Sequence, residues 1–209
     1  MTDVLRAPSA AACPVPFGPG DRIQLGHGSG GKLSAALFRD RFLPRIANPI
    51  LDRLGDAAVF HLHEGDVAFS TDTFVVSPLE FPGGNIGSLA VHGTLNDLAM
   101  MGATPRYLST GFVIEEGLSF AVLDRVIAAM ADAAHDAGVP LVTGDTKVVE
   151  RGKADQLYIN TTGIGTLDTP LRPGPDRAVA GDLVLVSGPI GRHGMAIMAA
   201  REGLAFEAE

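Results

Sequence analysis

Residues 141–149 read Leu-Val-Thr-Gly-Asp-Thr-Lys-Val-Val, and the stretch Thr143-Gly144-Asp145-Thr146-Lys147 within them decides how the chain is read. Leu141–Thr143 predicts a strand running into an acidic turn. Working outward, Asn96-Asp97-Leu98-Ala99, Ser70-Thr71-Asp72-Thr73 and Gly55-Asp56-Ala57-Ala58-Val59 share that construction. Each sets a carboxylate where an apolar segment meets a turn or a helix end. A single acidic turn carries no message, because Asp is a common turn and cap residue. Four of them, at the rims of separate buried segments, predict acidic groups gathered from distant parts of the chain. Two unit charges about 4 Å apart repel by roughly 4 kcal/mol at an effective dielectric near 20. Such a gathering needs a cation, and oxygen-only ligands with no nearby cysteine suit Mg²⁺. A nucleoside triphosphate is the natural client of a carboxylate-held Mg²⁺.

Glycines cluster beside these acids, where they let backbone amides approach a bulky anion. Gly26-His27-Gly28-Ser29-Gly30-Gly31-Lys32 follows a short predicted strand, Ile23–Leu25, and begins like a phosphate-binding P-loop. The next residue is Leu33, where such a loop needs Ser or Thr for the metal, so that reading fails. An amide-rich flap that covers phosphates while the metal is held elsewhere fits better, against a plain connector as the bland alternative. A helix carrying Leu33, Leu37, Phe38 and Phe42 is expected to run to about Pro44.

Further along, β-like runs occupy Ala57–Leu62 and Val67–Val76. Asn85 is a good N-cap for a helix that carries Ile86, Leu89, Ala90, Leu98 and Ala99 up to Gly102, with an interruption at Gly93. Tyr107–Ile114 is a strand. Ser119 caps a helix with Val122, Val126, Ile127, Met130 and Ala134, closed by Gly138. In Leu157–Thr166, Leu157, Ile159 and Thr161 alternate against Tyr158, Asn160 and Thr162. Residues 1–20 read as a mobile Pro/Ala-rich lead, 21–167 as a first domain and 168–181 as a Pro/Gly-rich linker. Residues 182–209 then supply one strand, Asp182–Gly188, and one helix of an incomplete second domain.

With 46% hydrophobic and 19% charged residues, the chain can bury a core. A net charge of −8 argues against nucleic-acid binding, which needs clustered Lys and Arg. No apolar run reaches membrane-spanning length, and the start lacks a secretory pattern, so a cytoplasmic location is expected. Cys13 alone excludes an internal disulfide. Asp72 stands inside an apolar strand, where an unpaired carboxylate is costly. Asn96-Asp97 sits late on its helix, where an acid opposes the macrodipole. Lys147 could neutralise a transferring phosphate or be a surface strand lysine. His61 and His63 read as a strand edge rather than a zinc site.

Taken together, Gly28–Gly31, Ser70-Thr71-Asp72, Phe81-Pro82-Gly83-Gly84-Asn85-Ile86-Gly87, Asn96–Ala99, Gly111–Gly117 and Val142–Val149 resemble the HypE family of hydrogenase expression/formation proteins. That family lies within the aminoimidazole ribonucleotide synthetase superfamily, and the resemblance runs from about Asp21 to Gly203. It implies an α/β first domain with a mixed, four-stranded sheet and helices on one side, paired with a second copy into a dimeric barrel. It implies ATP in a cleft beside the interface. Asp56, Asp72, Asp97 and Asp145 would share Mg²⁺, with Asn96, Thr143 and Gly144 near the phosphates. Gly28, Ser29, Gly30 and Gly31 would form the flap, and Lys147 would polarise the phosphate or the substrate.

The implied activity is the dehydration, driven by ATP, of a C-terminal cysteine S-carboxamide to a thiocyanate for the iron cyanide ligands of [NiFe]-hydrogenase. Implied partners are a homodimer mate, a HypF-like carbamoyltransferase and HypC/HypD-like iron scaffolds. The family ends in Pro-Arg-Ile-Cys or similar after a second domain, and nothing follows Glu209 here. The expectation is therefore a chain that binds nucleotide weakly and does not complete dehydration. Two alternatives stay open. One is a kinase or synthetase of the same superfamily, of the selenophosphate or thiamine-monophosphate type. The other is a non-catalytic dimerisation or docking piece.

Overall fold

Alternation along Leu157–Thr166 sets the layers of the fold: Leu157, Ile159, Thr161, Gly163 and Gly165 are buried, while the residues between them are not. The structure, a computed structural model, describes residues 31–37, 39–40, 51–62, 65–170 and 172–202. The chain divides into two compact units, Met1–Asn48 and Pro49–Glu209. In the first, helix α1 (Lys32–Leu37) starts where the Ala35 N–H donates to the Gly31 carbonyl at 3.0 Å. Gly28, Ser29 and Gly30, the residue 1–20 lead with Cys13, and the expected helix end near Pro44 lie outside the described residues.

The second unit holds a five-stranded sheet of β1 (Ala58–Leu62), β2 (Gly65–Phe74), β5 (Thr104–Glu115), β6 (Leu141–Val149) and β7 (Leu157–Thr166). Their order is β1-β2-β7-β5-β6, with every neighbour pair antiparallel except β5 and β6. Two-residue strands β3 (Glu80–Phe81) and β4 (Gly84–Asn85) pair separately. Helices α2 (Ile86–Met100), α3 (Phe120–Asp136) and α4 (Arg192–Glu202) complete it. The parallel step needs a crossover, and α3 supplies it. The mixed sheet with helices on one side follows the expectation, with β1 as a fifth strand.

Side-chain chemistry starts and stops these elements where the sequence places the signals. The Asn85 side chain accepts from Gly87 N at 2.9 Å and Ser88 N at 3.2 Å, and the Asn85 N–H donates to Ser88 Oγ, a reciprocal cap. Ser119 Oγ accepts from Val122 N to start α3. Ile86, Ala90, Val91 and Leu95 of α2 pack with Val126 and Met130 of α3 on Leu108, Leu157 and Ile159 of the sheet. A smaller cluster joins Ala57, Ala68, Leu98, Ala103 and Leu167.

Three expectations need correction. Helix α2 runs unbroken through Gly93. A Cβ there would lie 2.7 Å from the Phe74 ring, so the glycine serves close helix–sheet contact rather than a break. The stretch Thr143–Lys147 is not a turn but lies inside β6, where Thr and Val flanks satisfy strand pairing, whereas Ser70–Thr73 lies inside β2 as the run over Val67–Val76 predicts. The strand expected over Asp182–Gly188 finds no ladder partner among the described residues, and Leu183, Val184 and Leu185 stay exposed. A continuous apolar run such as Leu183–Val186 has strand propensity, but a strand exists only beside another. The helix expected after it is α4, which seats Ile197 in the main core and stacks His193 edge-on against Phe81 at 5.2 Å.

Candidate functional site

The pleat of β2 decides which predicted residues meet. Ala68, Ser70, Asp72 and Phe74 point to the helix-covered face, and Phe69, Thr71 and Thr73 to the open one. Ser70 Oγ lies 2.9 Å from Asp97 Oδ2 on the last turns of α2 and 3.2 Å from the Asp56 carbonyl, offering its proton to either. Asp72, one step along the same face, accepts from the Thr73 N–H through Oδ1 at 2.8 Å. Its other oxygen lies against Gly93 of α2. Burial, above all, pushes the Asp97 carboxyl above the usual carboxylate range; Asp72 and Asp56 add to the rise, and the Ser70 hydroxyl opposes it. Asp56 and Asp72 therefore lie near enough to Asp97 for their charges to act on it. Exposed Asn96 precedes Asp97 on the same helix end.

Asp145 lies elsewhere. Across the sheet, Thr73, Asn160, Gly111 and Asp145 stand in register, which places Asp145 on the open face. There Lys147 Nζ donates to its Oδ2 at 2.6 Å, and both side chains are exposed. Lys147, with the Thr146 N–H second, holds the Asp145 carboxyl below its ordinary value. Thr143 shares this face, paired with Ser109. Gly144 looks to the helix side, where a Cβ would come within 2.7 Å of the Thr110 carbonyl. Within one chain the sheet thus separates Asp145 and Lys147 from the other three carboxylates. Gly31 belongs to the first unit. Among the described residues, no three acidic, His or Cys side chains stand close enough to enclose one ion.

Sequence reading passed over several residues here. Ser70, quoted only as part of a motif, braces Asp97; its place just before Thr-Asp-Thr was the available signal. Asn160 Nδ2 donates to the Asp72 carbonyl at 2.9 Å and to Thr73 Oγ1 at 3.0 Å, tying β7 to β2. His61, read as a strand edge, sits on β1 with Nδ1 at 3.2 Å from Asp66 Oδ1. It helps line a cavity of about 570 Å³ that begins at Gly55 and Ala57, on either side of Asp56.

Residues 54–167, which span the sheet and both of its covering helices, match the family described as AIR synthase related protein, N-terminal domain. The chain belongs to the AIR synthase related family. Within that family, it is 53% identical over 187 residues to hydrogenase expression/formation protein HupE of Azotobacter chroococcum mcd 1, covering 90% of this chain and 55% of the relative. It is 49% identical over 194 residues to carbamoyl dehydratase HypE of Escherichia coli K12, covering 90% and 58%. The AIR synthase related fold is seen again in a solved HypE–HypF complex, with a TM-score of 0.77, 47% identity, and coverage of 83% of this chain and 56% of that one. It recurs in HypE solved with ATP, with a TM-score of 0.68, 53% identity, and coverage of 90% and 56%. The likeness to HypE read from the motifs is borne out. The chain spans about half the length of the curated relatives it matches.

Proposed function

We propose that this chain is the nucleotide-handling part of an ATP-dependent carbamoyl dehydratase that serves [NiFe]-hydrogenase maturation. The observation that carries this reading is that Asp56 and Asp97 lie near Asp72, on the helix-covered face of β2, in a chain 52% identical to a carbamoyl dehydratase HypE. Magnesium keeps several waters and takes one or two carboxylates plus phosphate oxygens. An all-oxygen group spread too widely to cage an ion alone suits an ion held partly by the nucleotide. When bound, Mg²⁺ would offset charge on the transferring phosphoryl oxygens.

In this reading the carbamoyl oxygen of a cysteine S-carboxamide attacks the γ-phosphorus and ADP leaves. Phosphate then departs with the carbon–oxygen electron pair as the nitrogen gives up two protons, leaving a thiocyanate. Asn96, Thr143 and Gly144 hold phosphate oxygens, and Lys147 donates to the oxygen being phosphorylated. Among the described residues, strands β1 and β6 are the two edges of the sheet. A homodimer closed edge to edge lays β6 of one copy beside β1 of the other, carrying Asp145 and Lys147 to the Asp56 end of its mate. The active site is then built from two copies, in the cytoplasm, with a HypF-like carbamoyltransferase supplying the carboxamide and HypC/HypD-like scaffolds receiving cyanide.

Calorimetric titration with MgATP tests this. Wild type binds, while Asp97→Asn and Asp145→Asn each lose binding. An equal mixture of the two variants, allowed to exchange subunits, regains about a quarter of the sites, as two-fold symmetry requires. Wild type that takes up no MgATP sinks the reading, and variants that fail to complement sink the shared site.

A further inference from the structure

The cavity beside the acid group carries an unusual charge for so acidic a chain. Arg53, His61, Arg172 and Arg177 line it against only Asp66 and Asp176, with Val59 and Met101 on its apolar side. Arg172 Nη2 holds Asp66 Oδ2 at 2.8 Å, and His61 braces the other oxygen of that carboxylate. The side chains of Arg53 and Arg177 make no ion pair with any described residue. Two arginines thus face the cavity with open donors, and Arg172 is bonded there to Asp66 of the β1–β2 hairpin as well as to the Thr169 carbonyl.

We propose that this cavity binds a phosphoryl anion, which displaces Asp66 from Arg172. A guanidinium fork matches phosphate oxygens at least as well as carboxylate oxygens, and a phosphoryl group brings more charge to it. Asp66 keeps His61 as a partner after the exchange. Arg172 lies on the segment between β7 and α4, so occupancy of the cavity also breaks one bond between that segment and the hairpin. Two sources share this chemistry, free phosphate and the phosphates of a nucleotide; the second rests on the function proposed above, the first does not.

Titration of the chain with inorganic phosphate and, separately, with MgATP tests this, read by calorimetry and by amide hydrogen exchange over residues 168–181. Phosphate is expected to bind and to raise exchange in that segment. Arg53→Gln with Arg177→Gln, both on the cavity wall, weakens phosphate binding about tenfold. Asp66→Asn removes the competitor, so phosphate binds several-fold tighter and no longer changes exchange; a purely structural aspartate gives no such gain. The Leu167 N–H to Asp66 carbonyl bond survives this change. Should Asp66→Asn not fold, Arg177→Gln alone still has to weaken binding. Unchanged affinity in the arginine variants, or no tightening in a folded Asp66→Asn, overturns the proposal. Phosphate binding without MgATP binding upholds the cavity and sinks the nucleotide reading. MgATP binding that ignores Arg53 and Arg177, with no phosphate binding, does the reverse.

Discussion

Replacing Asp97 by Asn should stabilise the free protein at neutral pH while it destroys nucleotide binding. The amide keeps an oxygen for the Ser70 hydroxyl, which now bonds Asp97 Oδ2 at 2.9 Å, so the contact survives. What disappears is a carboxylate whose ionised form is disfavoured by burial and then by Asp72 and Asp56. A folded-state value raised above the unfolded one means that the stability linked to protonation is fully present below the ordinary carboxylate range. It is lost as pH rises through the raised value. At pH 7 the wild-type protein bears this cost and the variant does not. Full Coulomb repulsion between close carboxylates reaches several kcal/mol, but solvent screening at a partly exposed group cuts it to about 1 kcal/mol. For a chain of this size that corresponds to a rise of roughly 2–4 °C in Tm. Thermal unfolding without divalent cation or nucleotide, at pH 7 and again near pH 3, is the assay. The gain should vanish at the lower pH, where both side chains are neutral. A variant that is less stable at pH 7, or equally gained at both pH values, refutes the electrostatic reasoning.

Gly93→Ala puts a methyl 2.7 Å from the Phe74 ring and should cost about 1–3 kcal/mol in urea unfolding, despite the better helix propensity of alanine. Thr161→Val removes a buried hydroxyl that bonds the Ala90 carbonyl at 2.8 Å and Thr94 Oγ1 at 2.6 Å, costing about 1–3 kcal/mol by stranding Thr94. Adding Thr94→Val should recover part of that loss in the same assay. Lys147→Ala should leave Tm unchanged, since its pair with Asp145 is exposed, yet abolish any ATP turnover measured with a carboxamide substrate.

Much of this fold was legible because its signals are local. Asn85 and Ser119 cap helices through their own side chains, and alternation over Leu157–Thr166 reports which face is covered. Non-local pairing set the limits of that reading. Gly144-Asp145 looks like a turn until β5 is placed beside it in register, when it becomes mid-strand. Gly93 looks like a helix breaker until Phe74 arrives from β2. The candidate site shows the same division. That Asp56, Asp72 and Asp97 share one place follows from tertiary packing that spacing only hinted at, and the face occupied by Asp145 follows from register alone. Arg172 and Asp66, far apart in sequence, had no motif to announce them.

The two acidic groups differ in what balances them, and this bears on which one calls for a cation. Asp145 already has an ammonium group at 2.6 Å and lies in solvent, so it is neutralised where it stands. Asp56, Asp72 and Asp97 have no Lys, Arg or His ion partner among the described residues, and Asp97 is held on the partly buried side of the sheet by a neutral hydroxyl. A fold under no demand for an ion could have relieved that strain by placing a single lysine on the exposed side of α2, as β6 does with Lys147. The helix offers Asn96, Ala99 and Met100 instead, all exposed and uncharged. The unmet negative charge is therefore concentrated on the helix side of β2, beside a cavity rich in arginine. On the two proposals above, a divalent cation with a polyphosphate would suit both halves at once: metal toward the carboxylates, with some phosphate oxygens within reach of the guanidinium groups.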